Sequence, residues 1–243
     1  MRIDSRREDE MRPISLICGF LHHSSASVLA AFGKTRVICA ASVVEEVPPW
    51  MRYQKKSGGW ITSEYQLLPS STKERSRREI NGVGGRTHEI QRLIGRSLRA
   101  AIDLDKLGPR TIYIDCEVID ADGGTRCASI TGGMTALRLA ILDLLNKKLI
   151  SESPLIQNVA AVSVGIVKGR PMIDLCYEED STADTDMNVV MAENGDFVEI
   201  QSTAEKDPFS KKDFDKMLDL ASKGIKDIFA LQNEAILKAG IGK

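Results

Sequence analysis

Alternating apolar and polar positions predict most of the strands of this chain. Two β-rich runs within residues 27–44 surround Gly33-Lys34-Thr35 and predict a hairpin. The apolar positions of residues 111–119 alternate with polar ones and predict another strand. Two later segments, 159–177 and 187–203, predict two further hairpins, the second with a strong Asn-Gly turn signal.

Apolar residues at three- and four-residue spacing predict three helices, over residues 87–104, 134–149 and roughly 210–238. Residues 45–85 are polar and interrupted by prolines and glycines, which predicts a long functional loop. Because helices separate the hairpins, the order predicts an α+β layered fold rather than a doubly wound parallel sheet. No linker divides the chain, so residues 1–243 are expected to form a single domain.

Composition and charge indicate an ordinary globular protein. Apolar residues make up 42% of the chain and the formal net charge is −1, which argues against a protein that binds nucleic acid through an overall basic surface. Five scattered cysteines without a C-x-x-C pair predict reduced thiols in the core. The N-terminus lacks the apolar stretch of a signal peptide, and no apolar run approaches the roughly 18 residues of a membrane span. We therefore expect a soluble, cytoplasmic protein with no membrane partner.

The first candidate for chemistry is a glycine-rich junction between a predicted strand and a predicted helix, DADGGTRCASITGG at Asp120–Gly133. A helix N-terminus attracts anions, and glycines allow the backbone to approach a ligand closely. Arg126 adds a guanidinium group that suits phosphate. The alternative is a tight turn followed by a solvated arginine. The expected amide donors are Gly123, Gly124 and Thr125, and Ser129 and Thr131 are expected to add hydroxyls or to cap the helix.

A second junction of the same kind, GVGGRTHEI, begins the helix predicted over 87–104. Here Gly84, Gly85 and Arg86 lie at the helix start, and Thr87 is expected to cap it. If the two halves of the chain pack side by side, both arginines could converge on one anion. The alternative is a coincidence between two helix N-termini. The Gly33-Lys34-Thr35 segment lacks the upstream glycine of a Walker A loop and is interpreted as a hairpin turn.

Charged residues are segregated along the chain. Residues 73–99 carry eight basic and three acidic side chains, whereas residues 174–207 carry eleven acids and one lysine. The basic tract can follow a phosphate backbone, and the acidic tract can bind a divalent metal or supply a proton. An ordinary solvated surface is the alternative for each. Carboxylates that crowd together repel unless a cation or a proton lies among them, and Mg²⁺ is the natural cation. The crowded carboxylates are Glu178, Glu179, Asp180, Asp184 and Asp186.

Long collinear motifs in this sequence resemble the ribonuclease PH family of bacterial phosphorolytic exoribonucleases, also called tRNA nucleotidyltransferases. They include GRTHEIQRLIGRSLRA, TIYIDCEVIDADGGTRCASITGG and YEEDSTADTDMNVVM, and the likeness extends to about residue 240. The resemblance implies the ribosomal-protein-S5-domain-2-like α+β fold, with two related halves of β-hairpins and helices. It also implies a homo-hexamer built as a trimer of dimers.

The implied reaction is removal of the 3′-terminal nucleotides of precursor tRNA by inorganic phosphate, which releases nucleoside diphosphates and is reversible. Some family members also act on ribosomal RNA. The alternatives are an RNA-binding ring subunit without chemistry and a nucleotide-binding phosphotransferase. The first is disfavoured because the four residues that match the family's site are all present, namely Arg86, Arg126, Asp180 and Asp186. The second is disfavoured because no Walker lysine is visible.

The resemblance also assigns roles to individual residues. Ser70 stands where the family commonly has an arginine, so one expected positive charge at the RNA channel is missing, and Lys206-Asp207 replaces a usual pair of a small and an acidic residue. Neither change touches the expected phosphate site. Arg86, Gly124, Thr125 and Arg126 match phosphate-binding residues, Asp180 and Asp186 match the acidic pair associated with catalysis and Mg²⁺, and Arg75, Arg77 and Arg78 match the basic loop that meets RNA.

Overall fold

The computed structural model describes residues 2–80 and 82–240. Strands and short or long helices alternate along these residues. In chain order the elements are β1 (Ile14–Cys18), β2 (Ala26–Phe32), β3 (Thr35–Val44), α1 (Pro49–Tyr53), β4 (Trp60–Leu67), α2 (Gly85–Arg99), α3 (Leu104–Leu107), β5 (Thr111–Asp120), α4 (Thr125–Asn146), β6 (Val159–Val167), β7 (Arg170–Ile173), α5 (Tyr177–Asp180), β8 (Thr185–Ala192), β9 (Phe197–Ala204) and α6 (Lys211–Lys238).

The strands form two sheets with helices between and beside them. The first sheet has the order β1-β2-β3-β5-β4 and the second the order β7-β6-β8-β9. Neighbouring strands are antiparallel except β4 and β5, which are parallel. Helix α4 packs on β2, β3 and β5 and also on β6, so it lies between the sheets. Helix α2 covers β4, and α6 covers β6, β7 and β8. This arrangement confirms the predicted α+β fold.

Helix α4 is the centre of the core. One hydrophobic cluster takes in residues from both sheets and from α2, α4 and α6. A Cβ at Gly132 would lie only 2.7 Å from Cys39 Sγ, so the glycine lets α4 approach the first sheet closely. Helix α4 is long and apolar enough to cross a membrane, but 78% of its apolar window is buried in this fold. The expectation that no apolar run approaches that length is therefore wrong, and burial in the core accounts for the apolarity.

Several predicted elements match the structure closely. The hairpins β2–β3, β6–β7 and β8–β9, the strand β5 and the final helix α6 are all present where the pattern placed them. The described cysteines are free thiols, and all but the partly buried Cys18 are buried, as expected. Alternation and helical spacing therefore predicted the elements whose faces pack on the core.

The segment 45–85 contains more structure than the predicted long loop, because α1 and β4 lie within it. Along β4, Ile61, Ser63 and Tyr65 are buried while the residues between them are more exposed. The alternation is real, but a serine and a tyrosine occupy inward positions and disguise it. Parallel pairing with β5 supplies the hydrogen bonds that this polar strand needs.

Two helix boundaries also differ from the prediction. Helix α4 begins at Thr125, nine residues before the predicted start at Met134. Hydroxyls and glycines are tolerated in its first turns because the helix is buried and Ser129 Oγ donates to the Thr125 carbonyl at 2.8 Å. Helix α2 ends at Arg99, because the Asp103 side chain accepts two backbone N–H groups and begins the separate helix α3.

Candidate active site

The β5–α4 turn, which we define as Asp122–Gly124, directs free amides toward one side. Gly123 and Gly124 have φ angles of 78° and 68°, in the left-handed region that glycine adopts without a steric penalty. Gly124 is the N-cap of α4 and provides no side chain. Within residues 2–80 and 82–240, the amides from Gly123 to Arg126 donate to no other protein group. The turn therefore offers N–H donors and the positive end of the helix dipole to an anion.

Ser129 and Thr131 do not belong to this turn, contrary to the prediction. Ser129 is buried within α4, and Thr131 exchanges weak hydrogen bonds with the backbone of Ala161 on β6. The hydroxyl at the turn is that of Thr125, which lies 2.9 Å from the phenol oxygen of Tyr65. Thr125 is thus the only threonine of the junction whose side chain reaches the helix start.

The second junction begins α2, with Gly84 as its N-cap. Thr87 does not cap this helix, contrary to the prediction. Glu79, from the preceding loop, accepts the Gly84 N–H at 3.0 Å and the Thr87 hydroxyl at 3.1 Å. A carboxylate at this position is favourable because it meets the positive end of the helix dipole. Arg86 follows in the first turn of α2 with its side chain exposed.

The arginines of the two junctions act on the same acidic groups. Both guanidinium groups, of Arg86 and Arg126, lie close enough to the same buried acids to oppose the rise in pKa that burial causes there. These acids are Asp180, Asp186 and the phenol of Tyr65. We define the junction pocket as the β5–α4 turn with Thr125, Arg86, Arg126, Asp180 and Asp186.

The two carboxyl groups come from different elements of the second half. Asp180 ends the short helix α5, and Asp186 is the second residue of β8. Burial raises the pKa of Asp186 to about 6, repulsion by Asp180 adds to the rise, and Arg126 and Arg86 act against it. Burial also raises the pKa of Asp180. At least one carboxyl in the pocket can therefore hold a proton close to neutral pH.

Two other acids of the predicted cluster, Glu179 and Asp184, are paired elsewhere. Glu179 is buried and accepts two hydrogen bonds from Arg2 at 2.7 and 2.8 Å. Asp184 forms an ion pair with Lys206 at 2.7 Å. Among the described residues no group of three or more His, Cys, Asp or Glu side chains is placed to hold a metal. The junction pocket thus contains the pair Asp180 and Asp186, and Glu205 lies close enough to add to the rise in the pKa of both.

The loop between β4 and α2, which is described over residues 68–80 and 82–84 and which we call the 68–84 loop, contacts both junctions. The Ser71 carbonyl accepts the N–H of Ala121, next to the β5–α4 turn, at 2.8 Å. At its other end the loop supplies Glu79 to the start of α2. Its basic side chains Arg75, Arg77 and Arg78 are exposed, and Ser70 is exposed beside them.

Sequence reasoning missed two side chains that hold the pocket together. Gln201 of β9 accepts a hydrogen bond from Arg126 Nη1 at 3.1 Å and donates to Glu89 of α2 at 2.5 Å. It therefore joins the second sheet, the start of α4 and helix α2. Tyr65 was missed because it lies in the segment predicted as a loop. The alternation around Tyr65 was the one available signal, whereas the contact between Gln201 and Arg126 joins residues far apart in sequence.

Comparisons with known proteins match the chain along most of its length. The model of the 3′ exoribonuclease family, domain 1, matches residues 10–143, and that of domain 2 matches residues 157–224. The chain is 52% identical over 233 residues to Ribonuclease PH of Syntrophomonas wolfei subsp. wolfei, covering 95% of this chain and 97% of that protein. It is 53% identical over 238 residues to Ribonuclease PH of Corynebacterium glutamicum (strain R), covering 97% and 96%.

Solved structures share the fold at low sequence identity. Rice (Oryza sativa) Rrp46 superposes with a TM-score of 0.78 at 16% identity, covering 97% of this chain and all of that one. A structure of the Archaeoglobus fulgidus exosome with RNA bound to the active site gives a TM-score of 0.78 at 22% identity, covering 94% and 91%. These similarities show that the two-sheet architecture is the one these proteins share.

Proposed function

Because this chain belongs to the 3′ exoribonuclease family, it is a phosphate-dependent exoribonuclease of tRNA processing, and we propose that the junction pocket is its active site. One observation carries the proposal. The guanidinium groups of Arg86 and Arg126 both oppose the rise in the pKa values of Asp180 and Asp186, and Arg126 adjoins the amides of the β5–α4 turn. Such a set of groups suits inorganic phosphate, which must approach the negatively charged phosphodiester of RNA.

Inorganic phosphate binds at the β5–α4 turn in this proposal. The amides from Gly123 to Arg126 and the Thr125 hydroxyl donate to its oxygens, and the guanidinium groups of Arg86 and Arg126 spread its charge. These charges also reduce the repulsion between the phosphate and the RNA phosphodiester. Catalysis of phosphoryl transfer depends mainly on such positioning and electrostatic stabilisation.

The reaction forms one bond and breaks another at the terminal phosphodiester. A phosphate oxygen attacks the phosphorus of the last nucleotide, and the bond from that phosphorus to the preceding 3′ oxygen breaks. The products are a nucleoside diphosphate and an RNA one nucleotide shorter. The leaving 3′ oxygen needs a proton, and Asp186, with a pKa of about 6, is the group we propose to supply it. Since similar bonds are exchanged, the reaction also runs in reverse.

Mg²⁺ fits the same pair of carboxyls. The ion takes six oxygen ligands and commonly uses one or two protein carboxylates, with waters and phosphate oxygens completing the set. Burial and then repulsion by Asp180 raise the pKa of Asp186, and a cation between the two carboxylates would relieve that repulsion. We propose that Asp180, together with Asp186 in its ionised form, would hold Mg²⁺, which would neutralise charge on the reacting phosphates; for Asp186 this role is the alternative to proton donation.

The RNA strand enters across the exposed arginines of the 68–84 loop in this proposal, namely Arg75, Arg77 and Arg78. These groups meet the phosphate backbone and carry no sequence preference of their own. Precursor tRNA 3′ ends are the substrate proposed, with ribosomal RNA as a second. We also propose a homo-hexamer arranged as a trimer of dimers, a cytoplasmic location and no membrane partner. Sedimentation should give a mass six times the 26.7 kDa of one chain.

The test of the function is an incubation of a precursor tRNA with and without inorganic phosphate, followed by chromatography of the released nucleotides. Nucleoside diphosphates that appear only with phosphate are the expected result. Nucleoside monophosphates released without phosphate would contradict phosphorolysis and indicate hydrolysis. RNA binding with no nucleotide release under either condition would indicate a ring subunit without chemistry.

A further inference from the structure

The β5–α4 turn is held from behind by a threonine outside the junction pocket. Thr35, the first residue of β3, is buried, and its hydroxyl donates to the Gly123 carbonyl at 2.7 Å. The same oxygen accepts the Asp122 N–H at 2.9 Å. A single side chain therefore bonds two peptide groups of the turn, one as donor and one as acceptor.

Arg12 holds the same turn from the N-terminal segment. Its guanidinium group donates to the Asp122 carbonyl and, at 3.3 Å, to the Gly123 carbonyl. It also forms a two-point pair with the buried carboxylate of Asp174, with distances of 2.7 and 2.9 Å. Because Asp174 balances its charge, the contribution of Arg12 to the turn is one of geometry rather than of net positive charge.

The carbonyls that Thr35 and Arg12 bind determine where the amides of the turn point. In a planar trans peptide the C=O and the N–H face opposite directions. Holding the Asp122 and Gly123 carbonyls behind the turn thus directs the N–H groups of Gly123 and Gly124 away from that anchor. Two consecutive glycines have wide backbone freedom, so without these bonds either peptide could turn its carbonyl toward the anion.

We propose that Thr35 and Arg12 are positioning residues for phosphate, which hold the β5–α4 turn with its amides directed at the anion. The inference rests on the proposed function, in which this turn binds the attacking phosphate. It gives Thr35 a role in addition to the hairpin turn that the Gly33-Lys34-Thr35 segment forms. It also makes the N-terminal segment around Arg12 a functional support of the pocket.

Thr35→Val tests the proposal because it removes the hydroxyl at nearly constant volume. We expect the KM for phosphate to rise about tenfold, with the KM for RNA and kcat changed by no more than about twofold. Thr35→Ser retains the hydroxyl and should return the KM for phosphate close to that of the unaltered chain. Arg12→Lys keeps the charge opposite Asp174 but loses the two-carbonyl fork, so it should raise the same KM.

Thr111→Val is the matched control. Thr111 is also buried, and its hydroxyl donates to the Glu46 carbonyl at 2.6 Å. It lies at the start of β5, about 30 Å along the strand from Asp120 at roughly 3.3 Å per residue, whereas the turn follows the end of the strand. A loss of thermal stability is expected in both valine variants, but a change in the KM for phosphate is expected only at Thr35.

Three outcomes would overturn the inference. The KM for phosphate could be the same in Thr35→Val and Thr111→Val, the KM values for RNA and phosphate could rise together, or Thr35→Ser could be as impaired as Thr35→Val. If Thr35→Val does not fold, Thr35→Ala takes its place, with phosphate affinity measured by calorimetric titration. An unaltered chain without phosphate dependence would overturn the proposed function and this inference with it, whereas normal phosphate use by Thr35→Val would overturn the inference alone.

Discussion

Helices α4 and α2 both begin at a pair of glycines and carry an arginine in the first turn, but their N-termini differ in what surrounds them. At α4 the hydrogen bonds from Thr35 and Arg12 hold the turn from behind and leave its amides free. At α2 the Gly84 amide is already bonded to Glu79. The first helix start therefore offers backbone donors to an anion, whereas at the second the Glu79 carboxylate already lies at the positive end of the helix dipole.

This difference matters because preorganised donors act without reorganisation during the reaction. A turn whose carbonyls are anchored presents its amides in the same geometry before and after phosphate binds. Arg86 is exposed and contributes charge, which attracts an anion and neutralises it but fixes its orientation less than directed amides do. Substitutions at the two helix starts test whether α4 acts through directed amides and α2 through the charge of Arg86.

The largest effect is expected from the arginines. Arg126→Ala should lower kcat/KM for phosphorolysis about a thousandfold, since this group stands among free amides and is held by Gln201. Arg86→Ala should lower it about a hundredfold, because the Glu79 carboxylate already neutralises part of the positive end of its helix. Steady-state phosphorolysis of a labelled tRNA precursor measures both.

Arg170→Ala is the control for these variants, since Arg170 forms an exposed pair with Glu8 away from the pocket. It should retain kcat/KM within about twofold. RNA affinity, measured by fluorescence anisotropy, should change by less than about threefold in Arg126→Ala. An equal loss of RNA affinity and phosphorolysis would contradict the assigned role, and a larger effect at Arg86 would reverse the comparison.

The next effect concerns Asp186. Asp186→Asn should lower kcat about a hundredfold, because it removes the proposed proton donor. In the unaltered enzyme kcat should fall as the pH rises through about 6, where the Asp186 carboxyl loses its proton. A pH profile of kcat checks this. If kcat instead falls as the pH drops below about 6, the ionised form is the active one and Asp186 serves Mg²⁺ rather than the leaving oxygen.

Asp186→Asn should lower kcat but raise the stability of the folded protein at alkaline pH. A rise in pKa from the usual 3.8 to about 6 means that the folded protein is destabilised at alkaline pH, by at most about 3 kcal/mol. Asp186→Asn should therefore raise the free energy of unfolding at pH 8, and the gain should disappear below about pH 4. Urea denaturation at the two pH values measures it. A gain that is the same at both pH values would mean that charge is not the cause.

A smaller effect is expected from the residue that orients Arg126. Gln201→Leu removes the acceptor for Arg126 and should raise the KM for phosphate about tenfold with little change in kcat. Gln157→Leu is a suitable control, since the Gln157 amide bonds the Ala100 carbonyl outside the pocket. If both variants have the same KM for phosphate, Arg126 does not depend on Gln201 for its position.

The smallest effect on catalysis is expected at the second helix start. Glu79→Ala should lower the free energy of unfolding by about 1 kcal/mol, the usual cost of losing a helix cap, while kcat/KM stays within about twofold. Glu74→Ala, in the same loop and exposed, should change neither. Urea denaturation and the phosphorolysis assay check the two quantities. A tenfold change in kcat/KM would show that the α2 amides take part after all.

The sequence predicted the fold where side chains alternate around a core, and it predicted the pocket where glycine and arginine mark a helix start. It failed at β4, because Ser63 and Tyr65 face inward in a strand that reads as polar. It failed at the start of α4, because hydroxyls and glycines suggested a loop in what is a buried helix. Local pattern contains no information on which partner a polar side chain will find.

The supports of the pocket illustrate this limit most clearly. Thr35 and Gly123, or Gln201 and Arg126, are distant in sequence and meet only because β3, β5, β9 and α4 pack together. Nothing in the local sequence around Thr35 or Gln201 signals these contacts. The resemblance to a known family identified the residues expected to touch phosphate, but the residues that hold them emerged only from the packed structure.

The most direct test of the account is a calorimetric titration of inorganic phosphate into the unaltered chain, Arg86→Ala, Arg126→Ala and the double variant. One phosphate per chain, weakened by each single substitution and lost in the double variant, is the predicted result. Two independent phosphate sites, each abolished by only one of the substitutions, or a titration that neither substitution alters, would contradict the convergence of the two helix starts on one anion.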